Sequence, residues 1–180
     1  MKITPLKTKY KEIVSEMKKE FGYSNVMAVP IIQKVVVNVG IGKINKENDK
    51  IEELLVALEA ITGQKPVKTR AKNSIAGFKT RKGMEIGVKV TLRGEKMWSF
   101  LDRLINVAFP RTRDFQGIKI SGVDEYGNFS VGIKEHLVFP EISAEKTKNL
   151  FGLQMNIQTT AKNKKEGERL FQLLKFPFYK

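Results

Sequence analysis

The sequence has no cysteine, only one histidine and no long hydrophobic run among its 180 residues. Without cysteine, the chain can form neither a disulfide nor a thiolate metal site. With His136 as the sole histidine, it cannot assemble a metal site of the His/Cys type. No stretch approaches the uninterrupted apolar length of a membrane-spanning helix, and no apolar signal-peptide run opens the chain. We therefore expect a soluble, unsecreted protein.

Sequence signals for catalysis are also lacking. The stretch NVGIGKIN (38–45) resembles half of a dinucleotide-binding fingerprint, but Asn45 stands where the third glycine is required. A histidine-based triad has only His136 as a base, and we interpret this residue as a surface or packing histidine. Glu52 and Glu53 lie in a helical pattern, where a solvated face is the ordinary explanation. The sequence therefore indicates a binding protein, not an enzyme, that needs no cofactor and takes no small-molecule substrate.

Positive charge is concentrated in one segment of the chain. The net charge is +14, and KPVKTRAKNSIAGFKTRKG (65–83) has seven basic residues and no acidic one. A merely solvated loop would usually mix both signs, because like charges repel within about 8–10 Å at physiological salt. A membrane-surface segment would need an amphipathic helix with a broad apolar face, for which Ile75 and Phe78 are too few. Nucleic acid fits better, since lysine and arginine neutralise phosphates while Phe78 and the backbone at Gly77 can press against a sugar or base.

Hydrophobic spacing predicts an α+β fold with a mostly antiparallel sheet and helices packed on one of its faces. Helices are predicted at 4–21, 48–61, 95–110 and 164–174, and strands at 34–40, 85–94 and 153–159, with a further hairpin around Tyr126–Asn128. Residues 65–83 are predicted to protrude as a long basic loop, or as a short hairpin with an extended tip. Residues 1–180 fit a single domain.

The other face of the predicted sheet is polar and offers a second, flatter surface. It presents Asn38, Lys89, Thr91 and Arg93, which favour recognition of structured RNA by shape and hydrogen bonds. Recognition of the DNA major groove would require a basic recognition helix, which the sequence does not contain.

Several motifs resemble those of one known family. They are VPIIQKVVVNVGIGKI (29–44), the long block from ITGQKPVKTRAKNSIAGFK through KVTLRG to FQGI (61–118), GNFSVGIKEHLVFPEI (127–142) and TTAKNKKEG (159–167). In this order they resemble the family of bacterial-type large-subunit ribosomal protein five, over nearly the whole chain.

That resemblance implies a structural constituent of the large ribosomal subunit, located at the central protuberance of cytoplasmic ribosomes. The implied partners are 5S rRNA, large-subunit rRNA, the P-site tRNA and the small-subunit head protein S-thirteen across an intersubunit bridge, with no membrane. The positions that match the family's 5S rRNA contacts are Asn38, Gln64, Thr91 and Arg93. The positions that match its P-site tRNA contacts are Arg70, Lys72, Asn73, Ser74, Phe78, Lys79 and Arg81.

The chain departs from the family pattern at DEYGN, where Asp124 and Glu125 stand in place of a more basic hairpin tip. We expect this acidic pair to alter the contact with the small subunit. The alternative hypothesis is a nucleic-acid-binding or chaperone protein that uses the same fold outside the ribosome, for instance to compact DNA.

Overall fold

The computed structural model describes residues 5–42, 44, 47–143, 147 and 149–179. Within these ranges the helices are α1 (Leu6–Phe21), α2 (Asn48–Thr62), α3 (Gly94–Arg103) and α4 (Lys164–Leu173). The strands are β1 (Ile32–Gly40), β2 (Val67–Arg70), β3 (Glu85–Leu92), β4 (Phe129–Ile133) and β5 (Leu153–Thr159). The protein has the predicted α+β fold.

Glycines end the first two helices, as the sequence predicts. Gly22 closes α1 at φ 67°, and Gly63 closes α2 at φ 65°. Glycine adopts this left-handed conformation without the steric cost that a Cβ would bring. The predicted start of the first helix at Thr4 lies outside the described residues, as does Asn45 of the glycine-rich stretch.

The five strands form one antiparallel sheet in the order β2-β3-β1-β5-β4. Val37 of β1 lies opposite Val90 of β3 and Met155 of β5, so the central strands bury one common row of apolar side chains. Along β5, buried and exposed residues alternate without exception. This period of two is the physical signature of a sheet with one covered face.

The helices cover the apolar face of the sheet and complete the hydrophobic core. Met97, Phe100 and Leu101 of α3 are buried in this core, and the ring of Trp98 lies 5.7 Å from that of Tyr10 on α1. The core includes residues from α1 through to the segment after α4. The assignment of residues 1–180 to a single domain stays a prediction. None of the described helices combines the length and the apolar composition that crossing a membrane requires.

The third helix differs from its predicted extent. Regular α-helix ends at Arg103, and the chain continues through one π-helical turn at Leu104–Ala108. The N–H of Phe109 donates to the carbonyl of Leu104 at 3.0 Å, which closes that wider turn. Pro110 follows and cannot continue a helix.

Of the two strands predicted around Tyr126–Asn128, only the one after the turn is present. β4 follows the turn, but Val123 before it forms a single bridge with Phe129, and Ile120–Gly122 is a 3₁₀ turn. The prediction of a strand before the turn is therefore wrong. Gly122 approaches β4 so closely that a Cβ on it would lie 2.7 Å from the carbonyl oxygen of Ser130.

The basic segment is not one long loop. Its first part, Val67–Arg70, is the edge strand β2, which pairs with β3. The hairpin alternative therefore describes this segment better than the long loop does.

Candidate nucleic-acid interface

The sheet face that the helices leave uncovered is polar, and we call it the outer face. It consists of Lys34, Val36 and Asn38 of β1, Val67 and Thr69 of β2, Gly87, Lys89 and Thr91 of β3, Ser130 and Gly132 of β4, and Gln154, Asn156 and Gln158 of β5. These residues include two lysines and no carboxylate. Amide and hydroxyl groups both donate and accept hydrogen bonds, so the outer face can match ligands with either kind of group.

Strand register places the outer-face side chains in rows that cross the sheet. Asn38 lies opposite Lys89 on one side and Gln154 on the other, and Val36 lies between Thr91 and Asn156. Neighbouring strands are about 4.8 Å apart, so the side chains of each row lie next to one another across the sheet.

The four candidate 5S rRNA residues lie together at the β1–β3 side of the outer face. Thr91 is two residues beyond the cross-strand partner of Asn38, which makes them diagonal neighbours. The amide of Gln64, just after α2, donates to the carbonyl of Thr91 at 3.2 Å. Arg93 follows β3 in extended backbone and is exposed. The structure thus brings together residues that are far apart in sequence.

Glycine at position 87 lets β2 complete this surface. A Cβ on Gly87 would lie 2.7 Å from the hydroxyl oxygen of Thr69 and 3.8 Å from the side-chain oxygen of Asn38. Any larger residue would therefore require the side chain of Thr69 to move, while it would only come into ordinary contact with Asn38.

Sequence reasoning missed the outer-face residues of β5. Gln154, Asn156 and Gln158 are exposed, while the residues between them are buried. The signal that could have identified them is the alternation of apolar and polar residues in LQMNIQT (153–159). These three amides extend the polar surface beyond the four residues that the family motifs indicate.

The connection between β2 and β3 is closed by backbone hydrogen bonds, and we call residues Ala71–Met84 the basic tip. The N–H of Ala71 donates to Met84 at 2.8 Å, and the N–H of Gly83 donates back to Ala71 at 2.9 Å. Further out, Ile75 and Thr80 exchange two backbone hydrogen bonds of 2.9 and 3.1 Å. The basic tip is thus a small hydrogen-bonded structure at the end of the hairpin.

The seven candidate tRNA residues are all exposed on this hairpin. Arg70 lies at the end of β2, and the other six lie in the basic tip. The side chain of Phe78 is 81% exposed, and Lys79 beside it adopts a left-handed φ of 51°. A ring this exposed is accessible for stacking on a base or packing against a ribose. Ser74 also has an internal role, because its hydroxyl oxygen accepts from the N–H of Lys82 at 2.9 Å.

One of the seven positive charges of the segment is paired at the base of the hairpin. Lys68 forms an ion pair of 2.8 Å with Glu85 of β3. Exposed pairs of this kind stabilise a fold by only about 0–1 kcal/mol. The pair therefore anchors the hairpin weakly and leaves the charges of the basic tip available.

The sequence predicts that His136 is either a surface residue or a packing residue, and the structure shows a packing residue. Its side chain is fully buried, and its ring stacks on that of Phe151 with centroids 3.7 Å apart. Burial lowers the pKa of the imidazole, against the opposing effects of a hydrogen bond with the backbone of Phe151 and of the Glu53 carboxylate. Among the described residues, no group of three or more acidic or histidine side chains is placed to hold a metal ion.

The acidic turn of the sequence is organised by Asp124. Its carboxylate accepts hydrogen bonds from the backbone N–H groups of Tyr126 and Asn128, at 3.0 and 2.7 Å. It also accepts from the side-chain amide of Asn128 at 2.9 Å. Asp124 is therefore a turn-forming residue, while Glu125 and Tyr126 are exposed beside it.

Comparison with known proteins covers almost the entire chain. Residues 25–81 match the family model described as ribosomal protein L5, and residues 85–178 match that of the ribosomal L5P family C-terminus. A Geobacter sulfurreducens protein named large ribosomal subunit protein uL5 is 53% identical over 169 residues, which is 94% of each chain. A protein of the same name from a Thermoanaerobacter species is 50% identical over 97% of this chain and 98% of its own. The Spinacia oleracea protein named large ribosomal subunit protein uL5c is 51% identical over 98% of this chain and 69% of its own.

Proposed function

The chain belongs to the ribosomal protein L5 family, and we propose that it binds 5S rRNA within the large ribosomal subunit and helps to attach it to the central protuberance. Family membership makes it a structural protein of the large subunit of cytoplasmic ribosomes, associated with rRNA, and not an enzyme. We further propose that it contacts the P-site tRNA and the head of the small subunit.

The observation that carries the 5S rRNA proposal is the composition of the outer face. Asn38 and Thr91 are diagonal neighbours there, and Gln64 and Arg93 border them. Within the described residues, the side chain of Asn38 has no hydrogen-bond partner, so its amide is available to a ligand. A flat polar surface without carboxylates suits RNA, whose phosphates would be repelled by negative charge and whose sugars and bases need hydrogen-bonding partners.

The basic tip is the proposed contact with the P-site tRNA. It combines exposed cations with the exposed ring of Phe78, which can stack on a base or pack against a ribose. Charge and stacking provide contacts that do not depend on a particular sequence, and a protein that meets many different tRNAs needs such contacts.

The turn at Asp124–Asn128 is the proposed contact with the small-subunit head protein S-thirteen. The carboxylate of Asp124 already accepts hydrogen bonds within the turn. Glu125 and Tyr126 are therefore the side chains available to a partner. A negative charge at this position favours a basic partner surface.

The test is the affinity of the purified protein for 5S rRNA and for another structured RNA of equal length, across a series of salt concentrations. Preference for 5S rRNA that persists as salt rises would support a hydrogen-bonded interface on the outer face. Equal binding of both RNAs, with log K falling against log salt at a slope of about −5 to −6, would mean that the basic segment alone accounts for the affinity. That result would contradict specific 5S rRNA recognition.

The alternative function, a nucleic-acid-binding protein that acts outside the ribosome, makes a different prediction. A ribosomal protein sediments with the large subunit after a wash in moderate salt, whereas a DNA-compacting protein is released from it. The family matches over residues 25–81 and 85–178 favour the ribosomal function.

A further inference from the structure

One edge of the sheet is left open at β4. In the strand order β2-β3-β1-β5-β4 this strand lies at the end of the sheet, and Phe129 at its start is bridged on the outer side by Val123. Beyond that bridge, no strand pairs with β4 on this side within the described residues. An open strand edge presents backbone N–H and C=O groups that can pair with another chain.

Gly132 directs its backbone to this open edge. The carbonyl of Ser130 faces outward, because a Cβ on Gly122 would lie only 2.7 Å from its oxygen. Successive residues of an antiparallel strand direct their backbone groups to opposite edges, so the N–H and C=O of Gly132 also face outward. Gly132 is exposed, and no atom of the described residues lies within 4 Å of the position that its Cβ would take. Another backbone can therefore approach β4 closely at this residue.

A groove of about 970 Å³ runs beside the open edge, and we call it the β4 groove. It lies between residues 109–122 on one side and residues 130–138 on the other. The apolar side chains that line it are Phe109, Phe115, Ile118, Val131, Ile133 and Val138. Apolar groups of a ligand would be removed from water in this groove, which favours binding.

Positive charge predominates on the rim of the β4 groove. Arg113, Lys119 and Lys134 are exposed there, together with the carboxylates of Asp114 and Glu135. None of these five side chains has an ion-pair partner within the part of the chain that the structure describes. Three positive charges against two negative ones leave an excess of one, in a chain whose net charge is +14. Complementary charge speeds encounter and selects partners, so the β4 groove favours an acidic ligand.

We propose that the β4 groove binds an extended, acidic segment of a partner protein, which adds to the open edge of β4 as a further strand. In this mode of recognition, backbone hydrogen bonds provide affinity and alternate side chains of the peptide enter pockets. A peptide supplies a backbone that can pair with Gly132 and apolar side chains for the lining, whereas RNA has no peptide backbone. The site also differs from the turn at Asp124–Asn128, which is acidic and favours a basic partner.

The first arm of the test uses the unmodified protein and a synthetic hexapeptide of alternating Glu and Val with blocked ends. We expect it to bind and, at saturation, to slow hydrogen exchange of the Gly132 amide at least about tenfold, because that N–H becomes hydrogen-bonded. Failure of this peptide to bind would overturn the proposal. A hexauridylate that shifts the nuclear magnetic resonance signal of Gly132 in its place would identify the groove as an RNA site.

The second arm tests whether the peptide backbone takes part. Two further peptides carry N-methyl groups, one on every Glu and the other on every Val. Because alternate residues of a strand face opposite edges, strand addition predicts that one of these two peptides loses at least about tenfold in affinity relative to the other. Equal affinity of the two N-methylated peptides would overturn the proposal.

The third arm tests the charge of the rim. The triple variant Arg113→Glu, Lys119→Glu, Lys134→Glu should bind the Glu-Val peptide at least about tenfold more weakly, and should bind the corresponding Lys-Val peptide more tightly than the unmodified protein does. An equal loss in the control variant described next would contradict the preference of the groove for acidic ligands.

The matched control is Lys11→Glu, Lys165→Glu, Lys175→Glu, which alters three exposed lysines outside the β4 groove and changes the net charge equally. We expect it to bind the Glu-Val peptide nearly as the unmodified protein does. The first two arms need only the unmodified protein, so they decide the proposal even if a variant does not fold.

Discussion

The imidazole of His136 lies parallel to the ring of Phe151, with an interplanar angle of 6°. Its Nδ1 accepts a hydrogen bond from the backbone N–H of Phe151 at 3.4 Å, and its Nε2 is buried without a partner among the described residues. Burial of the ring favours the neutral form of this residue, because the charged form loses its hydration inside the core.

The burial of His136 predicts a loss of stability in mild acid. Because burial lowers the pKa of His136 in the folded protein, the unfolded chain binds a proton more readily. The contribution to stability is complete above the unfolded pKa of about 6.5, and it falls by up to about 1.4 kcal/mol per pH unit as the pH drops towards the folded pKa. Urea unfolding between pH 7.5 and pH 5.5 would measure the decrease. His136→Phe keeps a buried ring but cannot titrate, so an equal decrease in that variant would contradict the assignment.

Gly127 and Gly167 pack backbone against backbone, which joins the turn before β4 to the first turn of α4. A Cβ on Gly167 would lie 2.7 Å from the carbonyl oxygen of Gly127, and backbone atoms cannot move aside as a flexible side chain does. We expect Gly167→Ala to lower the free energy of unfolding by about 1–3 kcal/mol, measured by urea denaturation. Gly40→Ala, at a position with open space, is the control. Equal stability of the two variants would show that the contact can relax.

Much of the fold was predictable because its strongest elements follow a strict period. The apolar stripe of α2 and the alternation along β5 each specify which face is buried, and the glycines after α1 and α2 specify where those helices end. These are local properties of the chain. The outer face follows from the same alternation, which places Asn38 and Thr91 on one surface.

The remaining features depend on contacts between distant parts of the chain. β2 has only four residues and no apolar alternation, and it is a strand because β3 offers it a free edge. The burial of His136 depends on Phe151, fifteen residues further on. Likewise, the charges of the basic segment gave no sign that residues 71–84 would close through their own backbone hydrogen bonds. Pattern alone could not identify these partners.

The candidate 5S rRNA residues make a quantitative prediction. The double variant Asn38→Ala, Thr91→Ala should weaken 5S rRNA binding by about 1–3 kcal/mol, since it removes hydrogen-bonding groups from the centre of the proposed interface. Both side chains lie on the outer face, so the buried side of the sheet is unchanged and the circular dichroism spectrum should be preserved. Unchanged affinity in the folded variant would remove these two residues from the interface.

The division between the two surfaces can be tested by removing the basic tip without disturbing the sheet. Ala71 and Met84 are hydrogen-bonded across the hairpin, so an Asn-Gly turn in place of residues 72–83 can close it in a geometry that suits a two-residue connection. We expect this variant to keep its affinity for 5S rRNA, because the outer face remains, and to lower P-site tRNA occupancy in assembled ribosomes. A replacement of the same twelve residues by a neutral Gly-Ser segment of equal length separates the effect of charge from that of length. If either variant loses most of its 5S rRNA affinity, the basic tip is part of the 5S rRNA interface and the two ligands do not have separate surfaces.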